Sequence, residues 1–157
     1  MPGVYKVITH KDVKGSNRLC FFQLNPRCMA TEQTHILLAE DNELNMEIAE
    51  FMLQNEGADV TKAWNGQEAV ELFRKSEPGE FDVILMDIMM PVMNGYEATK
   101  MIRSLDREDA KKIPIIAMTA NAFTEDRIKA KEAGMDEHIS KPIDMKLLVK
   151  IIHELVY

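Results

Sequence analysis

The chain has 157 residues, 46% hydrophobic and 29% charged, which is the size and balance of one globular domain with a modest extension. The net charge is −7, and residues 35–157 carry fourteen basic against twenty-four acidic side chains, which argues against non-specific binding to nucleic acid or anionic membranes. No apolar run approaches the roughly 18 residues of a membrane span, so we predict a soluble, cytoplasmic protein.

Residues 1–34 differ in composition from the rest of the chain. They lack sustained periodicity and combine glycine and proline with scattered basic side chains. We therefore predict an extension or linker there, and a folded domain over residues 35–157. Both cysteines, Cys20 and Cys28, lie in the extension without a CxxC spacing, which predicts free thiols rather than a disulfide framework or a metal site.

From residue 35 onward, short apolar runs alternate with longer segments of helical periodicity. The first two strands are predicted over His35–Ala39 and Asp59–Ala63. Between them, Asn42 is a plausible N-cap for a helix that ends before Gly57. Four apolar residues share one face of this helix, the face that an amphipathic helix packs on its core: Leu44, Ile48, Phe51 and Met52.

The next unit contains the most apolar strand. Asn65 and Glu68 resemble a capping arrangement for a second helix, which carries Ala69, Val70 and Phe73. A break at Pro78 and Gly79 then precedes a third strand over residues 81–86. This strand is almost wholly apolar, so we expect it to be central and buried on both faces.

The last three helices and two strands continue the alternation. The predicted strands cover residues 113–118 and 135–140, and the predicted helices begin near Gly95, Thr124 and Asp144. The Thr124 helix is expected to end near Gly134, and the last helix to bury a stripe of Leu147, Leu148, Ile151 and Ile152.

Five βα units predict an α/β fold, a doubly wound parallel five-stranded sheet with helices on both faces. Ligands of such sheets bind at the carboxyl ends of the strands. That rule gathers on one rim five side chains that can bind a cation or a phosphate: Glu40, Asp41, Asp87, Thr119 and Lys141.

Three carboxylates on one rim repel, since two like charges about 4 Å apart cost roughly 4 kcal/mol at an effective dielectric constant of 20. Lys141 supplies one positive charge, which leaves part of the negative charge of the carboxylates unbalanced. A metal ion could balance it, and an all-oxygen ligand set suits Mg²⁺ or Mn²⁺. Asp87 is our candidate nucleophile toward phosphorus, with Lys141 and the Thr119 hydroxyl contacting the phosphoryl oxygens. Glu40 and Asp41 would then be metal ligands.

The ordered motif set comprises Glu40 and Asp41; Asp87; Met90 and Pro91; Met93, Asn94 and Gly95; Thr119 and Ala120; and Lys141 and Pro142. Together these residues resemble the receiver domains of two-component response regulators, most closely those of hybrid sensor histidine kinases. The resemblance covers residue 35 to the C-terminus. It implies a flavodoxin-like (βα)5 fold and a signalling domain rather than an enzyme, either alone or as part of a longer kinase.

The resemblance also implies roles for individual residues. Asp87 would take a phosphoryl group from a phosphohistidine on a histidine kinase or a histidine phosphotransfer domain. Mg²⁺ would be held by Asp41, Asp87, Glu40 through water, and the backbone carbonyl of Met89. Phosphorylation would draw the Thr119 hydroxyl toward the phosphate.

Further implied features lie beyond the acceptor itself. Lys141 would precede a cis bond to Pro142, and His138 would occupy the position of an aromatic switch residue. The last two strands and helices would form a surface for a downstream protein or a homodimer.

Two alternatives use the same residues. One is a Mg²⁺-dependent phosphohydrolase with an aspartyl-phosphate intermediate, against which Met89 stands where the haloacid-dehalogenase pattern has a second aspartate. The other is an unphosphorylated protein-binding module on the same fold. A methionine cluster near the acceptor is expected to serve core packing and loop filling rather than copper or redox chemistry: Met86, Met89, Met90 and Met93.

Overall fold

The computed structural model describes the backbone of residues 6–11 and 17–22, and residues 34–121 and 124–156. In the first part, β1 (Lys6–Lys11) and β2 (Asn17–Phe22) pair antiparallel as a two-stranded sheet. The sequence predicted no strand in this extension. The side chain of Cys20 and the whole of Cys28 lie outside the described residues, so the prediction of free thiols stays a prediction.

The main sheet has five parallel strands in the order β4-β3-β5-β6-β7, which confirms the predicted doubly wound fold. The strands are β3 (His35–Ala39), β4 (Asp59–Ala63), β5 (Val83–Asp87), β6 (Ile115–Thr119) and β7 (Glu137–Ser140). The helices are α1 (Glu43–Asn55), α2 (Gly66–Lys75), α3 (Gly95–Ser104), α4 (Glu108–Lys112), α5 (Thr124–Ala133) and α6 (Met145–Val156). None of these described helices combines the length and apolarity that crossing a bilayer requires.

Two apolar cores lie on the two faces of the main sheet. Successive side chains of β3 point into the two cores in turn. Ile36 and Leu38 lie in the core with α1 and α6, and Leu37 lies in the core with α2 and α3. All five residues of β5 are buried, as expected for a central strand covered on both faces.

Side-chain caps start the helices where the sequence predicted them. Asn42 accepts from the Asn45 amide at 2.9 Å, and Asn65 accepts from the Glu68 amide at 2.8 Å. The remaining caps are a capping box at Asn94 and Glu97 and hydrogen bonds to Asp144 from the amides of Lys146 and Leu147. Local sequence therefore fixes these helix starts.

Three strands begin two residues later than predicted, and the short helix α4 was not predicted. The apolar residues Phe81, Ile113 and Met135 precede the hydrogen-bonded strands as buried connections. Two of these connections bond to the first residue of a neighbouring strand. Asp82 Oδ2 accepts from the His35 amide at 2.8 Å, and Asp136 Oδ2 accepts from the Ile115 amide at 2.9 Å. β5 and β6 each extend one residue further than predicted and end on the polar side chain itself.

The predicted core face of α1 is wrong. Leu44, Ile48 and Phe51 are 64%, 49% and 67% exposed, and Met52 is half-buried. The helix instead packs on the sheet through a second apolar stripe made of Met46, Ala49 and Leu53. The alternative stripe wins because it extends along the side that faces β3 and β4, leaving the larger apolar residues in solvent.

The predicted stripe of α6 is correct except at its first residue. Leu148, Ile151 and Ile152 are buried, whereas Leu147 is 45% exposed. Leu147 lies at the edge of the stripe that Leu148, Ile151 and Ile152 form, about a quarter of a turn from its centre, so its side chain reaches solvent.

Two arginines fasten the connections at the amino ends of the strands. Arg103 donates to the carbonyls of Gly134 and Ala110 and to Asp136 Oδ2. Arg107 pairs with both oxygens of Asp109, lies 4.6 Å from the centre of the Phe73 ring, and donates to the Phe73 and Ser76 carbonyls at 2.7 and 3.0 Å. These contacts hold the C-terminus of α2 against the α3–α4 connection.

Replacing Arg107 with alanine should lower the free energy of unfolding by about 2 to 3 kcal/mol, because several buried or half-buried acceptors lose a charged donor at once. Urea denaturation measures the change. The matched control is Arg74→Ala, which removes an exposed arginine paired with Glu71 one helical turn away and should leave stability unchanged. Equal effects of the two substitutions would contradict the stabilising role that we assign to the Arg107 contacts.

Candidate functional site

The carboxyl edge of the main sheet carries the five predicted rim residues. Asp87 and Thr119 end β5 and β6, while Glu40 and Asp41 directly follow β3 and Lys141 directly follows β7. Parallel pairing brings these strand ends together although they are as much as 101 positions apart in the chain. All five residues line one cavity of about 540 Å³.

Lys141 joins two of the carboxylates. Its Nζ donates to Glu40 Oε2 at 2.6 Å and to Asp87 Oδ2 at 3.0 Å. The Asp87 Oδ1 atom accepts from the Met89 amide at 3.3 Å. The peptide bond from Lys141 to Pro142 is cis, as the resemblance implied.

The three acidic residues form a compact cluster. One carboxylate oxygen from each of Glu40, Asp41 and Asp87 lies within 4.8 Å of the others. Glu40 and Asp87 are 3% and 4% exposed, whereas Asp41 is exposed. One side of the cluster is therefore buried in protein and the other is open to the cavity.

Burial and crowding change the proton affinity of this cluster. Burial, with repulsion from Glu40 in second place, raises the pKa of Asp87 to about 6, although Lys141 acts in the opposite direction. Burial alone would lower the pKa of Lys141, but its bonds to Glu40 and Asp87 outweigh burial and raise it. Lys141 therefore stays charged and offsets only part of the negative charge.

The Thr119 hydroxyl is held by its own loop. It donates to the Asn121 carbonyl at 2.6 Å and accepts from the Asn121 amide at 3.0 Å. Thr119 is buried at 6% exposure and lines the cavity beside Asp87. His138, by contrast, is a half-buried residue of β7 paired in register with Ala117, and it is not among the described residues that line the cavity.

The loop after β5 is fixed by close backbone packing. The Gly95 amide donates to the Ile88 carbonyl at 2.9 Å, and the Gly66 amide donates to the Met93 carbonyl at 3.1 Å. A side chain at either glycine would collide with backbone, at Asp87 and Met93 respectively. Val92 has φ +68°, an unfavourable conformation for a β-branched residue, so the surrounding contacts must impose the shape of this loop.

Several cavity residues were not predicted from the sequence. They are Asn45, Ile88, Tyr96, Asp126 and Lys129, whereas Asn42 was predicted as a helix cap and Ala120 as part of the motif set. Tyr96 could have been noticed, because it directly follows the glycine that packs on Asp87. The two residues from α5 carry no such signal, since their approach to the cavity depends on how that helix lies.

The methionine cluster is divided by the structure. Met86 and Met90 are buried and Met93 is half-buried, as predicted for packing and loop filling. Met89 is 76% exposed, so the prediction is wrong for this residue. Its neighbour Met90 occupies the core, and the alternation of the chain leaves Met89 facing solvent at the cavity.

Comparisons with known proteins give the family. The family described as "Response regulator receiver domain" matches residues 36–153. Relatives include hybrid signal transduction histidine kinase I of Dictyostelium discoideum, 40% identical over 120 residues, and histidine kinase 1 of Arabidopsis thaliana, 39% identical over 153 residues. The matches cover 75% and 77% of this chain but only 7% and 12% of those proteins.

Solved structures agree with this assignment. The receiver domain of a Pseudomonas aeruginosa sensor histidine kinase, determined with magnesium in its active-site cleft, is 38% identical, with a TM-score of 0.71 over 78% of this chain and 97% of that one. A complex of a Saccharomyces cerevisiae histidine phosphotransfer protein with the receiver domain of its downstream response regulator gives 29% identity and a TM-score of 0.70 over 80% and 90%. The chain belongs to the response regulator receiver domains of two-component signalling.

Proposed function

We propose that Asp87 accepts a phosphoryl group from a phosphohistidine on a partner protein. The observation that carries the proposal is the buried Asp87 carboxylate, held by Lys141 at the edge of a cavity that can admit a phosphoryl group. In the transfer, a carboxylate oxygen attacks phosphorus, the phosphorus–nitrogen bond breaks, and the imidazole leaves with the electron pair and takes up a proton. The product is an acyl phosphate on Asp87.

The acidic cluster fits a divalent cation. Glu40, Asp41 and Asp87 carry three negative charges against one from Lys141, and burial together with repulsion from Glu40 raises the pKa of Asp87. Their oxygen ligands suit Mg²⁺ or Mn²⁺. We propose that these residues and the Met89 carbonyl hold the ion, which would neutralise charge on the transferred phosphoryl group when bound.

Lys141 and Thr119 would respond to phosphorylation in different ways. Lys141 already contacts Asp87, so it would exchange a carboxylate oxygen for a phosphoryl oxygen with little movement. Thr119 would have to give up its 2.6 Å bond to Asn121 to reach a phosphoryl oxygen. We propose this exchange as the first switching step, with His138 in β7 as the next side chain to rearrange.

The exposed apolar face of α1 would receive the phosphodonor. Leu44, Ile48 and Phe51 lie in solvent on the helix that directly follows the acidic pair. Beside them, a groove of about 330 Å³ is lined by Ile48, Met52, Pro142, Ile143 and others, and shares Glu40, Asn45 and Lys141 with the acceptor cavity. A donor protein that brings a phosphohistidine to Asp87 would cover this face, and one similar structure is such a complex of two other proteins.

The domain would pass its signal by contact. We propose that β7, α5 and α6 form the surface for a downstream protein or a second copy, where Ile128 and Leu147 are 53% and 45% exposed. Residues 1–34 would be a linker and residues 35–157 the receiver, which suits a part of a hybrid histidine kinase or a separate receiver alike.

Phosphoryl acceptance is tested by labelling with acetyl phosphate and Mg²⁺. Asp87→Asn should abolish the acid-labile, hydroxylamine-sensitive label, whereas Asp126→Asn, which alters another carboxylate at the cavity, should keep it. Intact-protein mass measures the product. Undiminished labelling of Asp87→Asn would refute the proposal, and multiple-turnover hydrolysis of small phosphate esters would favour a phosphohydrolase.

The burial of the Asp87 carboxylate and its repulsion from Glu40 predict that Asp87→Asn stabilises the protein in the absence of metal. The charged Asp87 is disfavoured only in the folded state, so the destabilisation is absent below the ordinary aspartate pKa of 3.8 and complete above the folded-state pKa of about 6. At pH 7.5 the variant should gain about 3 kcal/mol in free energy of unfolding. The advantage should shrink as the pH falls from 6 to 4.

Urea denaturation in chelator across this pH range measures the effect. Added Mg²⁺ should stabilise the original protein more than the variant, because only the original retains the full carboxylate cluster. An advantage that does not change with pH would refute the electrostatic explanation.

Donor docking on α1 predicts a selective loss of transfer. Ile48→Glu should slow transfer from a phosphorylated histidine phosphotransfer protein about tenfold or more, because it places a charge in an apolar interface. Labelling by acetyl phosphate should be unchanged. Ile128→Glu on α5 is the control of similar exposure, and equal slowing by both variants would contradict docking on α1.

A further inference from the structure

Met89 is the most exposed methionine among the described residues. It is 76% exposed, Met101 is 43% exposed, and the others are buried or half-buried. Sulfoxide formation depends on contact between the thioether and an oxidant in solvent. A limited supply of hydroperoxide should therefore modify Met89 before the other methionines of the described chain.

The position of Met89 gives its modification a consequence. Met89 lines the cavity that contains Asp87, and its amide donates to Asp87 Oδ1 at 3.3 Å. The 2.9 Å bond from Gly95 to the Ile88 carbonyl fixes the backbone next to it. A change in the Met89 side chain therefore occurs beside the acceptor and on an anchored loop, whereas Met101 does not line the cavity.

We propose that Met89 is a reversible oxidation site that shortens the lifetime of the phosphoryl group on Asp87. A hydroperoxide transfers one oxygen atom to the thioether: its oxygen–oxygen bond breaks, a sulfur–oxygen bond forms, and water or an alcohol leaves. Sulfur loses two electrons and the hydroperoxide gains them. Methionine sulfoxide is restored by thiol-dependent reductases, so the change can be reversed.

The effect on Asp87 follows from polarity, and it rests on the proposed function. The thioether is a weak hydrogen-bond acceptor, whereas the sulfoxide oxygen is a strong one. At the cavity it would accept a hydrogen bond from a water molecule and leave that oxygen free to attack phosphorus. The bond from phosphorus to the Asp87 oxygen then breaks, the carboxylate leaves with the electron pair, and phosphate carries away the water's oxygen while a proton enters solvent.

The test blocks the cysteine thiols of the whole chain with N-ethylmaleimide, treats it with a limited amount of hydrogen peroxide, and locates sulfoxide by peptide mass spectrometry. Treated and untreated samples are then labelled with acetyl phosphate and Mg²⁺, the donor is removed, and the decay of the phosphorylated mass is followed. Met89 should be oxidised before the other methionines of residues 34–121 and 124–156, and decay should accelerate about fivefold, the kinetic effect of one hydrogen bond. Methionine sulfoxide reductase should restore the original rate.

Two variants separate Met89 from general oxidation, each compared with itself before and after peroxide. Met89→Leu should decay at the same rate in both states, whereas Met101→Leu should retain the acceleration. The proposal is overturned if Met101 is oxidised ahead of Met89, or if full oxidation of Met89 leaves decay unchanged while Asp87 is still labelled. Failure of untreated protein to label would instead refute the proposed function together with its consequence, while the peptide data would still report which methionine reacts.

Discussion

The Lys141 ammonium group, shared between Glu40 and Asp87, is the interaction on which the rim depends. It ties the loops after β3 and β7 to the end of the central strand β5. Without this charge, two carboxylates that are less than 5% exposed would face each other with no compensation, which the low dielectric of a buried site makes expensive. The same sharing leaves Asp87 incompletely neutralised, so a cation or a phosphoryl group can change its surroundings.

The sheet was predictable from the sequence because each strand is an apolar run. The first residues of the helices were predictable as well, because asparagine and aspartate caps act locally. The buried face of α1 was not. That helix carries two apolar stripes, one with Phe51 and one with Leu53, and periodicity shows where the apolar residues lie without showing which stripe meets the sheet. The burial of Leu53 is decided by tertiary packing.

The rim residues were predictable for a topological reason, since parallel strands place their carboxyl ends together whatever their separation in sequence. The details of the cavity were not predictable in this way. The Thr119 hydroxyl bonds to its own loop, Lys129 reaches the cavity from α5, and Met89 is exposed between buried neighbours. Each depends on side-chain orientation or on the position of a helix, which spacing along the chain does not encode.

The structural ion pairs and the rim lie at opposite ends of the sheet. Asp82, Asp136 and the two fastening arginines are at the amino ends of the strands, and a five-residue strand separates them from the rim by about 16 Å. This distance exceeds the Debye length of about 8 Å at physiological ionic strength. Substitutions of exposed charges on one edge are therefore weakly felt on the other, so such a domain can diverge in partner preference through the exposed residues of its rim while the anchors of its fold stay the same.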